Sequence, residues 1–253
     1  MISPALFFKE LVENRIKFWI SFFILGVLAV IIPLLYAFAG NMLGSINLSP
    51  YVNPGEISFI LSSYPNYAWS QWTAKNLTQF ASLAAIVLGM GALAGETAYG
   101  TAPFLLSKPL TRRQVYATKM AAGIFLLGLA IVASTFLLIL VSAMKGYTLQ
   151  AGPFIASAIV VYVGAAVIYL GTAVISTIIP DPVKAGVVAA IFWGLASVPG
   201  YFRGTVQYSI FYQMKAIRYW LQGEFPWLVL ILWLGIGFLL FETGVYYWRQ
   251  KDF

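Results

Sequence analysis

Residues 120–144 read MAAGIFLLGLAIVASTFLLILVSAM, a run without one charged side chain. About 20 apolar residues, rising about 1.5 Å each as a helix, cross a hydrocarbon layer about 30 Å thick. In that layer every backbone amide needs a partner within the protein, and a helix supplies one from its own segment. The run therefore predicts a membrane-spanning helix. Outward from it, five further stretches qualify: 18–39, 77–94, 154–179, 185–199 and 226–248. The fifth of the six, 185–199, is short. The expected fold is an all-α integral membrane protein with six transmembrane helices, forming one transmembrane domain over 1–253.

Composition agrees. Of 253 residues, 61% are hydrophobic and 9% charged, against about 25% charged in soluble domains. Mean hydropathy is +0.86. Too few charges exist to cover a water-facing surface, whereas lipid removes that requirement. Cysteine and histidine are both absent, which excludes disulfides, thiolate chemistry, imidazole bases and the usual zinc sites. A carboxylate-only metal site would have to draw on eight Asp and Glu, and none is expected. The net charge of +7 fits loops facing anionic headgroups better than nucleic acid.

Lys and Arg placement sets the expected orientation. With both termini cytoplasmic, that side holds Lys9, Arg15, Lys17, Lys108, Arg112, Arg113, Lys119, Lys184, Arg249 and Lys251. The outside holds Lys75, Lys145, Arg203, Lys215 and Arg218. Ten against five favours termini inside, as an even number of spans requires. A multi-pass protein of the cell membrane is expected. No cleavable signal peptide is apparent, since the first apolar stretch is too long and lacks a small-residue cleavage site.

Residues 3–17 read as an interfacial amphipathic helix. Ser3 offers a capping hydroxyl and Pro4 suits the first helical position. Ala5, Phe8, Leu11, Val12 and Ile16 share one side; Lys9, Glu10, Glu13 and Lys17 share the other; Leu6 and Arg15 break the pattern. A plain extension of the first span is the alternative. Two outside segments, 40–76 and 200–225, are aromatic (Tyr51, Tyr64, Tyr67, Trp69, Trp72; Tyr201, Phe202, Tyr208, Phe211, Tyr212, Tyr219, Trp220). They are expected to hug the outer headgroup level or to dip partly into the membrane, or instead to form an exit lid.

The break between the second and third spans, 96–119, carries the densest chemistry. Gly95 and Gly100 are spaced as in a phosphate-binding loop, but Thr101 stands where its lysine must follow, so the match has no mechanism. Residues 101–107 are apolar enough for a short surface helix, which Pro109 stops. Thr111 can cap a helix beginning at Arg112. Lys108, Arg112, Arg113 and Lys119 form a cationic cluster, readable as a headgroup anchor or as a docking surface for a cytoplasmic partner.

This stretch resembles the type 2 ABC transporter permease family. The resemblance rests on Glu96, Gly100, Thr101, Leu105, Leu106, Ser107, Pro109, Leu110, Thr111, Arg112 and Lys119. It is supported by the polar break 176–184 and the charged end 249–253. It implies an exporter subunit that pairs with a separate cytoplasmic ABC ATPase, two copies of which would bind ATP and Mg. It also implies a second permease chain, identical or homologous, with the pathway between the two. Arg113 joins the residues above as part of an ATPase-coupling loop. This chain itself then has no cofactor and no catalytic residue.

Intramembrane carboxylates are functional candidates by default. Glu96, with Arg112, Arg113 or Lys119 as partner, is expected to hold the coupling loop. Glu242 is expected to pair with Arg249 or a cation of the N-terminal helix, or to lie in a substrate path. Small residues in the second and fourth spans predict close helix contacts. Alternatives to the permease are an ATP-independent channel or secondary transporter, and a nontransporting membrane partner of an ATPase. A membrane-embedded enzyme lacks convergent acid, base or metal groups. The substrate is not legible.

Overall fold

The computed structural model describes residues 2–45, 54–202 and 204–251. Its helices are α1 (Pro4–Glu13), α2 (Arg15–Ser45), α3 (Pro54–Leu61), α4 (Tyr64–Gln71), α5 (Thr78–Met90), α6 (Ala94–Ala98), α7 (Ala102–Leu106), α8 (Arg112–Met144), α9 (Ala151–Ile178), α10 (Pro182–Ser197), α11 (Ile210–Met214), α12 (Ile217–Gln222) and α13 (Trp227–Gln250). A π-helical turn, Trp72–Leu77, joins α4 to α5. No strand occurs among the described residues. Six segments are long and apolar enough to cross a membrane: Arg15–Phe38, Tyr64–Ala98, Arg112–Met144, Ala151–Ile178, Pro182–Tyr201 and Trp227–Gln250. The chain is a multi-pass membrane protein.

Helix α9 lies at the centre, the most buried of the six spans. It packs against α5, α8, α10 and α13, while α2 lies against α8 and α5, and α1 against α8. Close approach depends on missing side chains. A Cβ at Gly123 would stand 2.1 Å from the Tyr169 hydroxyl, which donates to the Lys119 carbonyl at 3.2 Å. A Cβ at Gly89 would stand 2.9 Å from that of Thr172. Around the packed interior, large apolar side chains such as Phe23, Phe136 and Leu228 point outward, as lipid allows and water would not.

The helices give the bundle two unlike ends. One is basic, carrying Lys9, Arg15, Lys17, Lys108, Arg112, Arg113, Lys184, Arg249 and Lys251. The other is aromatic. There the stretch from Tyr64 is drawn into the bundle, closer to the expected dip into the membrane than to headgroup anchoring. The second span starts at Tyr64, not 77, and Tyr64, Tyr67, Trp69 and Trp72 are buried. They find partners inside the bundle. Tyr64 stacks on Tyr147 at 4.3 Å and shares a 2.5 Å hydrogen bond with Ser142. Trp69 stacks on Trp220 at 5.4 Å, and the Trp220 indole donates to Asn66 at 3.0 Å. Ring-to-ring contact, with hydrogen bonds at the Tyr64 hydroxyl and the Trp72 indole, makes burial favourable where each ring alone would favour the interface. Tyr51 lies outside the described residues. Over 200–225, Tyr201, Phe202 and Tyr208 are exposed while Trp220 turns inward.

Residues 3–17 are likewise not one helix. Helix α1 ends at Glu13, Asn14 breaks it, and Arg15, Ile16 and Lys17 begin the first span. Pro4 does stand in the first turn, but the Ser3 side chain makes no cap. Instead the Ser3 amide donates to Thr118 Oγ1 at 3.1 Å. Leu6, which broke the expected apolar side, is buried against the bundle, as is Glu10 from the expected polar side, while Ala5, Phe8 and Val12 of the apolar side are exposed, as lipid-facing residues would be.

Candidate functional site

The second span ends in a break. Helix α5 stops at Met90, and the amides of Leu93 and Ala94, which begin the next turn, receive a side-chain acceptor from elsewhere. Both donate to Ser176 Oγ, at 3.0 and 3.3 Å. At this break the Lys17 ammonium lies against Gly91, where a Cβ would stand 2.8 Å from it. A cation at a helix C-terminus is favourable. The short helix α6 then delivers Glu96 inward.

Glu96, Lys119 and Glu10 form a buried ion network. Lys119 Nζ donates to Glu10 Oε1 at 2.6 Å and to Glu96 Oε1 at 2.7 Å. All three residues are at most 5% exposed. Lys9 adds a weaker contact, 3.5 Å from Glu96, and pairs with Glu13 at 3.3 Å. Oxygens of Glu10, Glu13 and Glu96 lie within 4.8 Å of one another, a spacing metal sites use, but ammonium groups meet these carboxylates. Burial pushes the Glu10 carboxyl above its ordinary value, against the pull of Lys119. A buried lysine left alone would lose its charge or unfold the site, so two carboxylates from different elements are its counterweight.

Glu96 also shapes the loop. The Thr101 amide donates to the Glu96 carbonyl at 3.0 Å, and the Thr101 hydroxyl donates to the Glu96 carboxylate. The turn between them requires φ of +65° at Gly100, the left-handed region that glycine enters freely. Helix α7 follows, with Ala102 and Leu105 buried and Phe104 exposed. Ser107 closes it by donating to the Phe104 carbonyl at 2.8 Å. The segment 107–110 after α7 contains Pro109. Thr111 then opens α8 with a capping box: its amide donates to Gln114 Oε1 at 2.9 Å, and the Gln114 amide donates to Thr111 Oγ1 at 3.2 Å. The side chain of Leu106 lies outside what is described. The loop exposes Tyr99, Phe104, Ser107, Lys108, Pro109 and Arg113, together with Ala98, Gly100, Thr101, Pro103 and Thr111, with the Lys108 ammonium 4.5 Å above the Phe104 ring.

The expected cationic cluster is therefore dispersed. Lys119 is buried below the loop. Arg112 donates to the carbonyls of Arg249 and Lys251, at 2.8 and 2.6 Å, joining α8 to the end of α13. Lys251 in turn donates to the Thr177 carbonyl at 2.8 Å, adding the end of α9. Arg113 pairs with Glu242, both partly exposed. Glu242 thus has neither of its expected partners, Arg249 or an N-terminal cation, because the rotation of α13 turns it toward α8. The polar break at 176–184 is also built: Asp181 caps α10 by accepting from the Lys184 amide at 2.8 Å.

Sequence reasoning missed Glu10, Lys9 and Ser176 as members of this site. The available signal was Lys119 itself, a charge at the head of a long apolar run that needs more than one carboxylate.

A family model described as ABC-2 family transporter protein matches residues 8–208. The match takes in the ion network, the loop and the first five spans, and the chain belongs to that family. It is a membrane permease of an ABC transporter, the membrane subunit rather than the ATPase, and membership implies partnership with an ABC ATPase and with the bilayer. No curated protein matches the chain.

Proposed function

We propose that this permease is one half of an ATP-driven exporter of the cell membrane, with its basic end and both termini in the cytoplasm. A second permease chain, identical or homologous, completes the pathway. Two ABC ATPase subunits bind ATP and Mg and dock on the loop 96–119. The observation that carries this reading is the construction of the loop. Glu96, Thr101 and the Thr111 capping box hold it rigid, and it presents Tyr99, Phe104 and Lys108 outward at the basic end. A rigid amphipathic knob can transmit displacement from a motor domain to the spans that leave it, α5–α6 on one side and α8 on the other. The positive-inside asymmetry supports the orientation, and the resemblance to permeases that mostly export supports the direction.

Phe104 and Lys108 are exposed on the loop, and so is Arg113 beside its partner Glu242. Arg112 and Arg113 serve contacts within the chain, so they shape the site, and the exposed aromatic pair with Lys108 makes the contact. The double substitution Phe104→Ala with Lys108→Glu should abolish capture of the partner ATPase, while the chain still inserts and purifies as wild type. Undiminished capture and coupled ATP turnover would remove the docking role.

A further inference from the structure

The second span carries a polar edge at a depth where lipid cannot satisfy it. Lys75 and Gln79 are both exposed, one helical turn apart, and Leu83 and Val87 continue the same edge, 54% and 38% exposed. Depth follows from contacts. The Trp72 indole donates to Thr135 at 3.3 Å, and Thr135 stands about 24 Å along α8 from Lys119. Lys75 is about 4.5 Å nearer the basic end than Trp72, and Gln79 about 10 Å nearer. With the Lys119 network at one boundary of a hydrocarbon layer about 30 Å thick, Lys75 lies about 10 Å inside the other boundary, and Gln79 near the midplane.

A charged group at that depth faces water or a partner, not acyl chains. Among the described residues no carboxylate pairs with Lys75. The described carboxylates lie at the basic end, apart from Glu56 in α3, whose side chain lies outside what is described, and Glu224 in the segment between α12 and α13. Lys75 also sits in the π-helical turn, whose extra residue swells the helix locally; such turns are frequent at functional sites. The turn is held in place: Asn76 donates to the Gln71 carbonyl at 2.7 Å and Thr78 to the Thr73 carbonyl at 2.8 Å. The opposite side of the same turn is anchored by buried Trp72 and Thr73.

We propose that the Lys75–Gln79 edge lines a water-filled path through the half of the bilayer nearer the aromatic end, and that Lys75 receives the anionic group of an amphiphilic substrate. The pattern along the edge is complementary to such a molecule. Its ammonium and amide meet the charged end, and Leu83 and Val87 meet the apolar tail lying toward the basic end. This deepens the permease reading, because the second chain proposed above would close the path over an edge that one chain leaves open.

The chain contains no cysteine, so single cysteines report access without background. Lys75→Cys, Gln79→Cys and Leu83→Cys are compared with Leu129→Cys and Phe136→Cys, exposed sites on α8, in membranes containing the full chain. The probes are membrane-impermeant methanethiosulfonates, one carrying sulfonate and one carrying trimethylammonium. Cysteines at 75 and 79 should react about tenfold faster than those at 129 and 136. At Gln79→Cys, with each rate divided by that reagent's rate on a free thiol in solution, the sulfonate reagent should lead by about threefold or more, and adding Lys75→Gln should erase that lead. Reaction at 75 but not at 79 would mean that water reaches only the outer end of the edge, and overturns the path. Equal rates for the two reagents, or a lead that survives Lys75→Gln, overturns the anionic substrate. If Gln79→Cys does not accumulate, Leu83→Cys one turn deeper decides in its place. ATPase capture is scored on the same samples. Its loss with labelling intact counts against the permease reading alone, and labelling lost with capture intact counts against the path alone.

Discussion

Lys119 concentrates the energetics of the site in one side chain. Removing it leaves two buried carboxylates facing each other without a cation, and breaking such a pair costs about 3–5 kcal/mol. Lys119→Met should therefore lower the midpoint of thermal unfolding in detergent sharply, as followed by size-exclusion chromatography of heated samples. Adding Glu10→Gln and Glu96→Gln should recover much of the loss, because the unpaired charges go with it. Glu10 makes a pH-dependent statement as well. Burial raises its folded value above the unfolded one, so this group favours the docked α1 at low pH, and that contribution fades as pH rises through the raised value. The check is a protonated-carboxyl infrared band that persists above the ordinary glutamate range and vanishes in Glu10→Gln.

The loop 96–119 is an element made from local rules. A glycine permits the left-handed turn, a threonine hydroxyl returns to Glu96, and a capping box restarts the chain as α8. Gly100→Ala forces an L side chain into φ of +65°, at a cost of about 1–2 kcal/mol. It should weaken ATPase capture without preventing membrane insertion, measured by co-purification. No atom lies within 4 Å of the added methyl, so strain rather than collision is what such a result would report. Thr111→Ala removes one half of the capping box and should cost about 1 kcal/mol of stability.

For the whole molecule, the basic end is where five elements are fastened. Lys119 joins α1 to α6 and α8, Arg112 joins α8 to the end of α13, and Lys251 joins that end to α9. Arg113 and Glu242 add an α8–α13 pair that is partly exposed, worth about 0.2–1 kcal/mol in water. Arg113→Glu should reduce coupled ATP turnover more than stability, and Arg113→Glu with Glu242→Arg should restore it. Coupled turnover that stays depressed in the double variant would mean Arg113 serves something other than this pair. The aromatic end is fastened differently, through Tyr64, Tyr147, Trp69 and Trp220 rings rather than charges.

What the sequence by itself determined was the lipid environment, the number of crossings and the place of the loop. Those follow from runs of apolar residues and from local punctuation: Pro109 and Thr111. Each acts within about one helical turn, so reading along the chain suffices. Partnership across the bundle was a matter for the tertiary structure alone. A helical wheel shows Glu10 beside other charges and calls that side wet, since it cannot know that α8 brings Lys119 to the same place. Aromatics at 64–72 look like headgroup anchors until rings from residues 147 and 220 arrive to bury them. Arg112 and Arg113 look free until α13 ends beside them. In a membrane the cost of an unpaired polar group makes such long-range pairings obligatory, and the sequence names only which groups must pair. The same reasoning leaves Lys75 as the group whose partner the chain has not supplied among its described residues.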